Sequence, residues 1–200
     1  MDPEYSAFLD ESSALRPGNR QEYLVCAAIV PRESEEEIRE VLRPLRLKGQ
    51  IKLHWSDESE ARRRQIVSTI ASLAPMTAVV SHLSQSQRKT EHFRRKCLEN
   101  IYYELCSMGI RQLTCVSRTR DQDMKDVAHL LLLRKRKLIM PEFDISHVRS
   151  GDDPLLWIPD VVLGAINASY KGVPKHYEKL KEFIVYRAAS DGSTLNGERP

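Results

Sequence analysis

No apolar run in this chain approaches the ~18 residues that a membrane-spanning helix needs, and charged residues make up 30% of its 200 positions against 41% hydrophobic. That balance suits a globular protein without a membrane partner. The amino terminus, MDPEYSAF, lacks the positive start and long apolar stretch of a secretory signal, so a cytoplasmic location is expected. Cysteine is sparse: Cys26, Cys97, Cys106 and Cys115 lie far apart with no CxxC pair, which in a reducing compartment favours small core residues over disulfides or a zinc site. There is no GxSxG elbow, no GxGxxG and no GxxxxGKS loop, so serine-hydrolase and nucleotide-cradling classes drop out. A strong charge of one sign is also missing, since 31 basic and 28 acidic residues leave a net charge of only +3.

What is present is local. The basic residues gather as Arg62-Arg63-Arg64, Arg94-Arg95-Lys96 and Arg134-Lys135-Arg136-Lys137. Such runs on helices are either solvated faces or a track for a phosphate backbone. The length suits one domain, taken as 1–187, with the polar stretch 188–200 expected to be disordered.

The apolar pattern predicts a first strand over YSAFLDE, a PGN turn and a second strand over EYLVCAAIV, a hairpin by their spacing. SEEEIREVLRPL reads as a short helix opened by a capping box of Ser34 and Glu37 and interrupted at Pro44. DESEARRRQIVSTIASL is a second helix, MTAVVSHL a third strand, and SQSQRKTEHFRRKCLENIYYELCSMG a long amphipathic helix capped near Gly109. IRQLTCVS is a fourth strand, DQDMKDVAHLLLLRKRKLI a helix with acids first and bases last, and PEFDISHV a fifth strand. DDPLLWIPDVVLGAINASYKG is a core helix and VPKHYEKLKEFIVYR a charged one. Alternation of this kind predicts an α/β fold with a mixed sheet and helices on both faces.

Two acidic features carry the chemistry. The first strand ends its apolar run on Asp10 and Glu11. Successive strand residues point to opposite faces, so only one of the pair addresses a given site, and Asp10 is the candidate. The alternative is that Asp10 opens a turn into SSALRPGN. The second feature is Asp160, in the first turn of a helix if Pro159 marks its start, with Leu156, Leu163, Gly164 and Asn167 around it on a nearly all-apolar helix. A carboxylate in such surroundings needs a cation, a metal or backbone amides. Two convergent carboxylates suit Mg²⁺ or Mn²⁺, and a two-metal cluster serves phosphodiester hydrolysis but wants three or four acids. Glu91, Glu99, Glu104, Asp121, Asp123, Asp152 and Asp153 are all available to complete it. His54, beside Trp55 and near Asp57, is either a general base or metal ligand, or a packing residue.

FLDES near the start, KLHWSD in the middle and SGDDPLLWIPDVVLGAI near the end resemble the motifs of the large bacterial family catalogued as domain of unknown function 3800 (DUF3800). The resemblance covers roughly Tyr5 to Gly172. It implies a ribonuclease-H-like fold, a mixed five-stranded sheet flanked by helices, with an acidic metal site on the first strand and last core helix. Asp10 and Glu11 match the opening acids, Asp160 the closing one, and His54 with Lys52 and Trp55 the middle motif. The chain departs from the family at Trp157 and Pro159, at Ser13 in place of a glycine and at Lys52 in place of an acid. After the fourth strand, Ser117 and Arg118 stand where an acid is common, with Asp121 the nearest substitute. That departure implies a one-metal site, a relocated ligand or lost catalysis.

The expected function is a metal-dependent nuclease, with Asp10, Glu11, His54 and Asp160 catalytic, and Asp10, Asp121 and Asp160 holding Mg²⁺ or Mn²⁺. The alternative is a non-catalytic module of the same fold that binds nucleic acid or a protein.

Overall fold

The computed structural model describes residues 4–84 and 90–190. Six strands form one sheet: β1 Tyr5–Arg16, β2 Arg20–Pro31, β3 Met76–Ser84, β4 Gln112–Val116, β5 Asp144–Val148 and β6 Ile184–Ala189. The helices are α1 Glu35–Leu42, α2 Glu60–Leu73, α3 Thr90–Ser107, α4 Arg120–Lys135, α5 Trp157–Tyr170 and α6 Lys175–Leu180. Strand order is β5-β4-β1-β2-β3-β6. The pairs β1/β2 and β2/β3 are antiparallel, whereas β1/β4, β4/β5 and β3/β6 are parallel. The five expected strands are therefore present in a mixed sheet flanked by helices, and a sixth extends the edge beside β3.

That sixth strand corrects the expectation of a helix through VPKHYEKLKEFIVYR. The helix α6 stops at Leu180, one 3₁₀ turn follows at Lys181–Phe183, and the β-favouring Ile184 and Tyr186 then pair with β3 on either side of a register shift at Val185. It also reaches Ala189, inside the stretch expected to be a tail; residues 191–200 of that stretch lie outside the described residues, as do 85–89, where the long helix was expected to begin.

Strand β1 likewise does not turn at Asp10. It continues to Arg16, with Asp10 opposite Cys26 and Glu11 opposite Val25, and the hairpin closes through Gly18 and Asn19 at φ +76° and +57°. The projecting tip is tied down by Arg16, which donates to Glu22 at 2.6 Å and to Asn167 of α5, and lies 4.0 Å over the Tyr170 ring. The capping box expected at Ser34 does not form: a 3₁₀ turn at Arg32–Ser34 precedes α1, and Ser34 makes no side-chain cap bond. A reciprocal box forms instead at Thr119 and Gln122, opening α4.

Strand alternation divides the core into two layers. Phe8, Leu24, Cys26, Ala28 and Val30 pack against α1, α2 and α5, while Ala7, Leu9, Tyr23, Val25 and Ala27 pack against α3 and α4. Cys26, Cys97 and Cys115 are buried and Cys106 is half-buried. No helix among the described residues is long and apolar enough to cross a membrane.

Candidate active site

The two-layer core decides where each acid of β1 points. Asp10 shares the parity of Phe8 and faces α5; Glu11 shares that of Leu9 and faces α3.

On the α5 side, the helix is entered through Asp153. Its carboxylate caps the turn Pro154–Leu156 by accepting from the Leu155 amide at 3.0 Å and holds Arg39 of α1 at 3.0 Å. Pro159 then falls in the first turn of α5, where its missing N–H leaves no bond unmade. This places Asp160 at the helix start with a side chain only 14% exposed. Its two oxygens are engaged by one loop: Oδ1 lies 2.9 Å from His54 Nδ1, and Oδ2 accepts from the Trp55 amide at 2.8 Å. Asp160 thus obtains a backbone amide and an imidazole as partners for its buried carboxylate.

The loop is held against α5 by Trp55. Its ring covers Gly164, where a Cβ would stand 2.1 Å from the indole Cγ, and Arg63 of α2 lies over it at 5.0 Å while donating to the Trp55 carbonyl. The glycine is therefore a packing requirement, four residues along the helix from Asp160. The hydrogen bond that Asp160 accepts from His54, followed by the charge of Asp160, raises the pKa of His54 against the opposing effects of burial and Lys52.

Asp10 lies beside this pair. Its Oδ1 accepts from the Glu11 amide at 2.7 Å. Burial, then the negative charge of Asp160, pushes its carboxyl up to about 7, although the Glu11 amide and the Lys52 ammonium pull the other way. The charge of Asp160 reaches Asp10 and disfavours its ionisation.

Glu11 is turned to the opposite face. Its carboxylate takes the Tyr23 hydroxyl and both Nε and Nη2 of Arg94 at 2.7 Å. Arg94, 2% exposed, also grips Asp126 of α4 at 2.6 and 2.7 Å, and His147 adds a contact to Asp126 at 3.3 Å. Burial would raise the Asp126 pKa, but His147 and Arg94 outweigh it and hold the carboxyl well below the ordinary range. This network was not foreseen, because Arg94 reads in the sequence as one of three tandem surface bases and Asp126 sits in a helix with several other acids.

Asp121 does not join the pair. It is exposed in the first turn of α4, a helix whose Leu130 and Leu133 cover the α3-side layer. Nearer the end of β4, Asp123 is occupied by the Ser117 hydroxyl at 2.7 Å and the Arg118 amide at 3.1 Å. Of the remaining candidates, Glu91 pairs with Arg94 and Arg95, Glu99 with His129, and Asp153 with Arg39. Among the described residues, no group of three or more His, Cys, Asp or Glu is arranged to hold a metal ion. The expected trio Asp10, Asp121 and Asp160 is therefore not assembled, since a sheet lies between the helix of Asp121 and the face of Asp10. Two carboxylates with hard oxygens nonetheless fit a single Mg²⁺ or Mn²⁺, which commonly takes one or two carboxylates and completes its shell with water and phosphate.

A cavity of about 470 Å³ opens beside Asp160, bordered by Ser12, Ser13, Trp55, Arg63, Asn167 and Lys171; a smaller one of about 280 Å³ lies at Asp10, Tyr23, Val116 and Arg118. The basic runs contribute unevenly to this surface. Arg62 bonds Glu58 and the Leu45 carbonyl, Arg94 is internal, and Arg134 bonds the Phe143 carbonyl. A helix turns about 100° per residue, so tandem bases cannot share a face.

No family model matches the chain, and no curated protein does. Among solved structures, it is similar to ribonuclease HII of Archaeoglobus fulgidus in its complex with PCNA, at 12% identity over 90% of this chain and 77% of that one, with a TM-score of 0.45. It is also similar to Bst-RNase HIII in complex with Mn²⁺, at 12% identity and a TM-score of 0.45, and to a mutant of that protein at 14% and 0.42. In both cases 90% of this chain is covered but only 53% of the other, so the chain spans about half their length.

Proposed function

We propose that this protein is a metal-dependent nuclease in which Asp10 and Asp160 hold one Mg²⁺ or Mn²⁺. The observation that carries the reading is that Asp10 and Asp160 each border one of two cavities that share Glu11, Ser12 and Ser13, with Asp10 raised to about 7 by burial and then by the charge of Asp160. A divalent ion would relieve that repulsion, and when bound it would polarise a phosphoryl oxygen and lower the pKa of a water. The resemblance of FLDES, KLHWSD and SGDDPLLWIPDVVLGAI to the domain of unknown function 3800 family supports the same reading.

Each residue then has a distinct task. Asp160 orients His54 through Nδ1, leaving Nε2 for proton transfer. The hydrogen bond to Asp160 raises the His54 pKa, which favours the imidazolium form that donates a proton to a leaving oxygen. Lys52, Arg63, Arg118 and Lys171 place positive charge around the pair for a phosphate backbone. Glu11 acts at one remove: bound to Arg94, it fixes the strand end whose amide holds Asp10.

A second reading, a binding module of the same fold, is favoured by one feature. The end of β4 carries Ser117 and Arg118, and Asp123 is already satisfied by them. Cleavage of labelled single- and double-stranded DNA, RNA and hybrids, with Mn²⁺ or Mg²⁺ against chelator, separates the two. The nuclease reading requires metal-dependent cleavage lost in Asp10→Asn and Asp160→Asn. Folded, metal-binding protein that leaves every substrate intact assigns the module.

A further inference from the structure

The helix α4 is apolar on two sides. Leu130 and Leu133 point into the core with Asp126, yet Met124, Val127 and Leu131 remain 61%, 40% and 53% exposed. Those three stand at i, i+3 and i+7, one continuous stripe along two turns. The stripe floors an open cleft of about 690 Å³ between α4 and the ends of β4 and β5, whose wall is Arg118, Arg120, His147 and Arg149. One acid lines it, Asp123, tied to Ser117 and the Arg118 amide, while Asp121 is exposed in the first turn of α4. Beyond the far end of the stripe, Lys135, Arg136 and Lys137 are all exposed.

An aliphatic stripe with positive charge at both ends has a definite complement. We propose that this cleft docks an acidic amphipathic helix of a partner protein, its apolar positions laid on Met124, Val127 and Leu131 and its carboxylates meeting Arg120 and Arg149 at one end and the Lys135–Lys137 run at the other. Nucleic acid would satisfy the arginines but leave the stripe unused, because the cleft lining offers no Phe, Tyr or Trp to stack a base and its His147 ring is only 10% exposed and held by Asp126. A second copy applying the same face would set like charges together. The cleft shares only Arg118 with the cavity at Asp10, and docking needs neither Asp10 nor Asp160, so the proposal holds whether or not that pair cleaves.

The test is selection of a displayed helix-length random-peptide library on the folded wild-type chain, with Leu131→Glu and Arg149→Glu as comparators. Leu131 and Arg149 are exposed, so neither change removes a core contact, and circular dichroism with a thermal melt verifies the fold. The expected result is enrichment of peptides with apolar residues at i, i+3 or i+4 and i+7 separated by Asp and Glu. Their binding should weaken roughly tenfold or more in Leu131→Glu, and in Arg149→Glu the loss should shrink as salt is raised. An empty selection, basic peptides, or peptides indifferent to Leu131→Glu would overturn the proposal. So would sedimentation showing a wild-type dimer that becomes monomeric in Leu131→Glu, or a single-stranded oligonucleotide whose affinity falls equally in both variants.

Discussion

Asp10 and Glu11 are adjacent on β1 but stand on opposite faces of the sheet, the first beside Asp160 of α5 and the second clamped by Arg94 of α3. One strand end therefore serves both layers: a repelling carboxylate pair on one side and a closed ionic network on the other. The consequences differ in sign.

Asp10 is held protonated to about pH 7 in the folded chain, against about 3.8 for the free residue. The folded state then binds more protons than the unfolded one between those values, so stability falls as pH rises through that window and levels off above it. Asp10→Asn removes the penalty. Urea unfolding should show the variant more stable than wild type at pH 8, on the order of 2–4 kcal/mol, with the gain shrinking towards pH 4.

His54 titrates above an ordinary histidine because Asp160 accepts its hydrogen bond. Its stabilising contribution is complete below the ordinary histidine pKa and is lost as pH rises through the raised value. The His54 ring resonance, followed by NMR against pH, should move to a lower midpoint in Asp160→Asn, and the stability difference between the two proteins should narrow at alkaline pH.

Arg94→Met leaves Glu11 and Asp126 without their shared cation in a buried site. A loss of about 3–5 kcal/mol is expected in denaturant titrations, and Arg94→Lys should recover only part of it, since lysine cannot grip two carboxylates with a planar fork. Asp126 also sets acid sensitivity: with its pKa depressed, its contribution is present above the ordinary aspartate range and disappears as pH falls.

Gly164→Ala drives a methyl into the Trp55 ring, where a Cβ would stand 2.1 Å from Cγ. Displacing the ring costs about 1–3 kcal/mol and pulls the Trp55 amide away from Asp160. Tryptophan fluorescence should shift to the red, and the His54 pKa should fall with it.

Much of this was readable in the residues. The hairpin turn, the five strands and the apolar helix carrying Asp160 follow from period and from Pro and Gly placement, and strand alternation puts Asp10 and Glu11 on opposite faces. The misses have specific causes. Strand β6 is short and follows a helical pattern closely, so the β-branched pair at Ile184 and Val185 is swallowed by the preceding charged helix. β1 runs past Asp10 through small polar residues because its tip is secured by Arg16 on Tyr170, a contact between distant segments. Arg94 hides in a basic run, and only the helix phase shows that it points inward while Arg95 points out. Asp121 has a suitable position in sequence, but the sheet separates its helix from Asp10.

The most direct measurement is calorimetric titration of Mn²⁺ into wild type, Asp10→Asn and Asp160→Asn at pH 6 and pH 8. If Asp10 and Asp160 form the metal pair, wild type binds one ion, more tightly at pH 8 and with greater proton release at pH 6, and both variants lose the binding. Binding that survives both substitutions, or a wild type that takes up no ion at either pH, would contradict a metal site at the end of β1.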